Sequence, residues 1–152
     1  MANKTKSILE KYESKRENLL PILHEINDTD GYISKESMQE IALFLDISPA
    51  EVYGTTTFYS FFNIEKKGKY IIRLCRNISC HLAGKEDIAW TLEKELGIKF
   101  GETTEDYNFT LEYTNCIGMC DSGPAMLINN DVHTLLTPSK VRHIINGLKS
   151  NI

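Results

Sequence analysis

The chain has 152 residues, 41% of them hydrophobic and 25% charged, with 17 basic against 21 acidic side chains and a net charge of −4. That balance suits one or two small globular domains and excludes the basic footprint of a nucleic-acid-binding protein. No apolar run reaches the ~20 residues that span a bilayer, so direct membrane insertion is not expected. The opening MANKTKSILEKYESKRENLL has neither the apolar stretch of a secretory signal nor the acid-poor character of an organellar leader. A cytoplasmic location is expected.

The first sixty-odd residues read as three helices. Ile8, Tyr12, Leu19, Leu20, Leu23 and Ile26 mark a helical stripe that Pro21 must kink or restart. Asn27 to Gly31 supply a turn, with Gly31 free to take a positive φ. Met38, Ile41, Ala42 and Leu45 keep helical spacing behind Ser34 as N-cap. Ser48, Pro49 and Glu51 open the third helix with a capping box. It runs into GTTTFYSFF, whose β-branched and aromatic residues weaken the helical preference. Phe58, Tyr59, Phe61 and Phe62 read as core or inter-domain packing, with a partner surface as the sharper alternative.

The period changes after the polar break Lys66 to Lys69. Tyr70 to Leu74 form a short apolar strand that delivers Cys75. A helix is predicted from Ala83 to Leu96, stopped by Gly97. Phe109, Leu111 and Tyr113 alternate in a strand that leads to Cys116. Ala125 to Ile128 and Val132 to Leu135 flank Asn129-Asn130-Asp131 as a hairpin. Thr137 and Pro138 begin a last amphipathic helix through Val141, Ile144, Ile145 and Leu148. The order is three helices, then β-α-β-β-β-α. The fold class is α+β: a helical N-terminal domain at residues 1–65, followed by an α/β domain at 66–152. The first two strands of that domain should be parallel, which puts both cysteine-bearing loops on one edge of the sheet.

All four cysteines lie in two short segments: Cys75 and Cys80 with four residues between them, and Cys116 and Cys120 with three. Thiols of a cytoplasmic protein stay reduced, so disulfides explain them poorly. Four thiolates can close a 2Fe–2S centre, a 4Fe–4S centre or a structural zinc site. Zinc sites more often use two-residue gaps, and the usual 4Fe–4S run is absent. Spacing alone ranks 2Fe–2S first and leaves zinc open. Gly118 and Gly123 would let backbone N–H groups approach the sulfurs. His24, His81, His133 and His143 read as surface or supporting residues. Arg73, Arg76 and Lys85 read as solvated charges, whose functional alternative is to offset an anionic tetrathiolate centre.

LCRNISCHLAG at 74–84, NCIGMCDSGPAM at 115–126, GYIS at 31–34, SPAEVYGTTTFYSFF at 48–62 and LLTPSKV at 135–141 together carry a family resemblance. The chain resembles the thioredoxin-like 2Fe–2S ferredoxins, specifically the small iron–sulfur subunit of complex I-type NADH dehydrogenases. Related subunits serve NAD-dependent hydrogenases, electron-bifurcating ones among them, and formate dehydrogenases. The resemblance implies a thioredoxin-like ferredoxin domain with one 2Fe–2S cluster per chain on Cys75, Cys80, Cys116 and Cys120. It implies a non-catalytic electron-transfer subunit of an NAD(H)-dependent oxidoreductase. Its partners would be a flavin- and iron–sulfur-containing NADH-binding subunit and further redox subunits, with FMN and NAD(H) on the partner only. The chain itself shows no glycine-rich dinucleotide fingerprint. A structural zinc-binding adaptor and a free-standing 2Fe–2S carrier are the alternatives.

Overall fold

The structure, a computed structural model, describes residues 2–152. The chain divides into two compact units, with the boundary between Lys67 and Gly68. In the first, α1 spans Ala2–Leu9, α2 Leu19–Asp30, α3 Lys35–Leu45 and α4 Pro49–Phe58. A 3-10 turn at Arg16–Asn18 precedes α2. Among the described residues of this unit four helices stand where the sequence predicted three, because the first apolar stripe is divided. Residues 13–18 are polar throughout, so that stretch has no apolar face to bury and cannot carry a helix from Ile8 to Leu19. Pro21 lies in the first turn of α2, where its missing N–H costs no intrahelical bond.

The predicted capping residues are in place, but the capping box at Ser48 is only half formed, with Glu51 turned to Arg16. Gly31 ends α2 at φ 79°, the Ser34 hydroxyl accepts from the Ser37 amide at 3.0 Å, and Ser48 accepts from Glu51 at 3.1 Å. The Glu51 carboxylate in turn accepts from Arg16 Nε at 2.6 Å. Thr56 and Thr57 donate to the carbonyls of Val52 and Tyr53 at 2.8 and 2.9 Å. Those bonds give the β-branched side chains local partners, and α4 extends to Phe58 through residues of modest helical propensity. Ile22, Leu23, Ile26, Ile33, Ile41 and Val52 are fully buried in one core. The aromatic run divides: Phe62 belongs to this core and Tyr59 packs on it, whereas Phe58 and Phe61 are exposed.

The second unit holds β1 Tyr70–Cys75, α5 Ile78–Leu82, α6 Lys85–Leu96 and β2 Phe109–Thr114. A 3-10 turn at Cys120–Ser122, β3 Met126–Ile128, β4 Asp131–His133 and α7 Pro138–Lys149 complete it. The sheet order is β2-β1-β3-β4. β1 and β2 are parallel, with Cys75 opposite Thr114, while β3 is antiparallel to both β1 and β4. Ile72, Leu74, Phe109, Leu111, Met126 and Ile128 form one face of the sheet. They share a buried core with Ile88, Ala89 and Leu92 of α6 and Val141 and Ile145 of α7. The fold is thus α+β, a helical unit followed by a mixed sheet with helices packed on one face.

Several boundaries differ from the sequence expectation. The helix predicted from Ala83 starts at Lys85, because Gly84 takes φ 93° and separates it from α5. The five residues of α5 are too few to show a helical period in sequence. In the hairpin, Asp131 belongs to β4 and the turn is Asn129-Asn130, with Asn129 at φ 54°. The Asn129 side chain accepts from the Ile71 amide at 2.9 Å and donates to the Lys69 carbonyl at 3.2 Å. These bonds fix the turn against β1. β4 stops at His133, short of the predicted Leu135, whose φ of 47° is incompatible with a strand. Among the described residues, no helix is long and apolar enough to cross a membrane.

Candidate metal centre

Parallel pairing of β1 and β2 brings their carboxyl ends to one rim of the sheet. Cys75 closes β1, and Cys116 lies two residues beyond the end of β2. Cys80 sits inside α5 rather than in a loop. One helical turn forms there because the Asn77 carbonyl accepts from His81 and the Ser79 carbonyl from Ala83, each at 3.0 Å. Cys120 opens the 3-10 turn after β2. Both predicted segments therefore converge on the same rim.

The four sulfurs fall into two unlike pairs. Cys75 and Cys80 are 1% and 3% exposed and pack with Ala125 and Ile117. The Cys75 amide donates to the Ala125 carbonyl at 3.1 Å. Cys116 and Cys120 are exposed, with their Sγ atoms 3.3 Å apart. The Gly118 N–H donates to Cys116 Sγ at 3.4 Å, and its φ of 85° is one that glycine takes without strain. A Cβ at Gly123 would stand 3.5 Å from Cys80 Sγ and 3.4 Å from the Ala83 Cβ, so glycine there keeps the space beside that sulfur open. All four thiols are free.

The thiol acidities follow from these surroundings. Burial pushes the Cys80 thiol up, and its hydrogen bond with Cys75 adds to the rise. The Gly118 N–H holds Cys116 below the usual thiol range, helped by the bond with Cys120. That shared bond raises Cys120, while a hydrogen bond with Ser79 opposes the rise. Cys120 also feels the like charge of Cys75, and Cys80 that of Cys120. The two pairs therefore share one electrostatic neighbourhood. Four soft donors grouped two and two fit the chemistry of a 2Fe–2S centre, in which each iron takes two thiolates. Among the described residues, no three His, Cys, Asp or Glu side chains are arranged around a single ion position.

The flanking charges are mostly engaged. Arg73 Nε lies 3.2 Å from Glu112 Oε2 on the neighbouring strand. Lys85 is buried, with Nζ 2.7 Å from Glu86 Oε1 and 5.1 Å from the Tyr113 ring centre. Arg76 is exposed and anchors the rim through its amide, which donates to the Thr114 carbonyl at 3.0 Å. His81 Nδ1 lies 3.2 Å from Glu86 Oε1. His24 stacks on Phe61 at 5.1 Å and meets Phe62 edge-on at 4.9 Å. His133 lies in β4, and His143 is exposed on α7. Two supporting residues escaped the sequence reading: Ser79, bonded to Cys120, and Ala125, which packs on the buried pair. Neither is marked by any spacing rule.

A small mixed sheet thus gathers four free thiols on one rim. The family model described as thioredoxin-like [2Fe-2S] ferredoxin matches residues 5–149, and the chain belongs to that family. It is 38% identical over 138 residues to a subunit of the NADH-quinone oxidoreductase of Buchnera aphidicola, covering 91% of this chain and 85% of that protein. It is also 38% identical over 149 residues to the alpha subunit of the NAD-reducing hydrogenase HoxS of Cupriavidus necator. That match takes in 98% of this chain but only 25% of the hydrogenase subunit, so the chain spans a quarter of that relative. Among solved structures, an NAD+-reducing [NiFe]-hydrogenase in the H2-reduced state aligns with a TM-score of 0.77 at 25% identity. The alignment covers 89% of this chain and 22% of the hydrogenase chain.

Proposed function

We propose that this chain is the electron-transfer subunit of a cytoplasmic, NAD(H)-dependent oxidoreductase, holding one 2Fe–2S cluster on Cys75, Cys80, Cys116 and Cys120. The observation that carries the reading is the unequal burial of four sulfurs gathered on one rim. The buried pair anchors the centre in the sheet. The exposed pair leaves its other side at the protein surface, where an electron can pass to or from a docked protein. When bound, a 2Fe–2S cluster accepts and returns one electron at a time. The Gly118 N–H on Cys116 and the Ser79 bond to Cys120 stabilise negative charge on sulfur, the usual protein lever on such a potential.

The relatives supply the setting. One belongs to an NADH-quinone oxidoreductase and another to an NAD-reducing hydrogenase. Hydride chemistry, FMN and NAD(H) then belong to a partner subunit, and this chain itself is non-catalytic. The test is composition: anaerobically purified protein should hold about two irons and about two acid-labile sulfides per chain. Alanine at any one of the four cysteines should remove or severely destabilise the cluster. One zinc per chain with little iron would refute the assignment.

A further inference from the structure

Neighbourhood alone does not separate the two cysteine pairs, since Cys75 packs with Cys80 as Cys116 lies beside Cys120. Accessibility does. A disulfide reagent must reach a sulfur along the line of the bond it breaks. Cys75 and Cys80 are closed to solvent, whereas Cys116 and Cys120 are open to it. Between the open pair, the sulfurs stand 3.3 Å apart, so a short movement closes a bond of ~2.05 Å. Nothing lies within 4 Å of the Cβ position of Gly118 between them, so no neighbour there obstructs that movement.

We propose that Cys116 and Cys120 are an oxidative modification site: in the cluster-free chain a low-molecular-weight disulfide such as oxidised glutathione joins them, while Cys75 and Cys80 remain thiols. One of the exposed thiolates attacks the reagent's S–S bond, forms a mixed disulfide and releases one glutathione thiolate. The second thiolate attacks the protein-side sulfur of that mixed disulfide and releases the other. Two protein thiolates are oxidised by two electrons in total, and one glutathione disulfide is reduced to two thiolates. The proposal rests on the proposed function only in taking these sulfurs as ligands. Its consequence is that the oxidised chain lacks two of its four donors and cannot be loaded until a dithiol reduces it. The closed pair is also shielded from irreversible over-oxidation.

The test uses the full chain, stripped of metal by a chelator under argon and shown by circular dichroism to keep its secondary structure. Oxidised glutathione is added and then removed by desalting at acid pH, which halts exchange; only then is the chain unfolded, and the remaining thiols are alkylated and mapped by mass spectrometry. The expected result is alkylation of Cys75 and Cys80 only, with Cys116 linked to Cys120. The same treatment in concentrated guanidinium should oxidise the 75–80 pair as well, because folding alone protects it. A Cys120→Ser variant should hold one glutathione on Cys116, removable by dithiothreitol. Four alkylated cysteines, or a folded chain linked through Cys75 and Cys80, would overturn the proposal. Iron and sulfide reconstitution of the untreated chain is run alongside. If that fails to give a 2Fe–2S spectrum, the proposed function falls while the thiol map still decides this inference.

Discussion

At the scale of single residues, two glycines govern the second unit for different physical reasons. Gly118 has a positive φ and nothing near its Cβ position, so its requirement is conformational. Replacement by Ala should cost about 1–2 kcal/mol in urea unfolding of the metal-free chain, and Asn, which tolerates this region, should cost less. Equal losses for Ala and Asn would mean that the φ of Gly118 is not what the loop requires. Gly68 is the reverse case. Its N–H donates to Thr110 Oγ1 at 2.7 Å, and a Cβ there would lie 2.6 and 2.7 Å from the backbone C and N of Phe109. Backbone cannot swing aside as a side chain can, so Gly68→Ala should destabilise by about 1–3 kcal/mol. The sequence showed Gly68 only as part of a polar break, because the close approach depends on Phe109, which is distant in sequence. The four cysteines were legible because their chemistry and spacing are local. The unequal burial of the two pairs was not, since it arises from α5 and Ala125 closing over one pair.

Elements were readable in proportion to how far their signals are local. Caps bond within a few residues, and Ser34, Ser48 and Thr137 all accept from the amide three residues on, Thr137 at 3.2 Å. Thr137→Ala should therefore cost about 1 kcal/mol through α7, measured by thermal or urea unfolding. The division of the first helical stripe and the existence of α5 were less readable, because the first depends on what a polar run fails to bury and the second is shorter than two turns. Glu25 of α2 shows how elements are joined. Its carboxylate accepts from Lys11 and from Tyr12 Oη, the latter at 2.8 Å. The Lys11 bond first, and the Tyr12 bond next, hold Glu25 below the usual carboxylate range. A lowered folded value means that its stabilisation is present above the ordinary carboxylate pKa and is lost as pH falls through the lowered one. Glu25→Gln should therefore lower stability at neutral pH and leave it little changed at strongly acid pH, which flattens the acid limb of stability against pH.

For the whole molecule, each unit has its own buried core, one built on Ile22, Ile26 and Ile41 and the other on Ile72, Leu92 and Ile145. All four cysteines lie in the second. The division proposed from sequence, 1–65 and 66–152, leads to a direct expectation: a fragment of residues 66–152 should fold and accept a 2Fe–2S cluster without the helical part. Failure of iron and sulfide reconstitution in that fragment would mean that the helices belong to the cluster fold. In the intact protein the reduced centre should show the rhombic electron paramagnetic resonance of an all-thiolate 2Fe–2S site, with a low potential on the order of −400 mV. Four thiolate ligands would make the site strongly anionic, and two of the cations flanking them in sequence, Arg73 and Lys85, already face carboxylates. Arg76 is exposed, so water and salt screen it, and Arg76→Gln should leave the potential almost unmoved. NADH should reduce the centre only after a flavoprotein partner is added, because hydride must first be split into single electrons on a flavin before a one-electron carrier can take them. Reduction by NADH in a preparation free of flavin would mean that this chain binds the nucleotide itself, and the division of labour between carrier and partner would be lost.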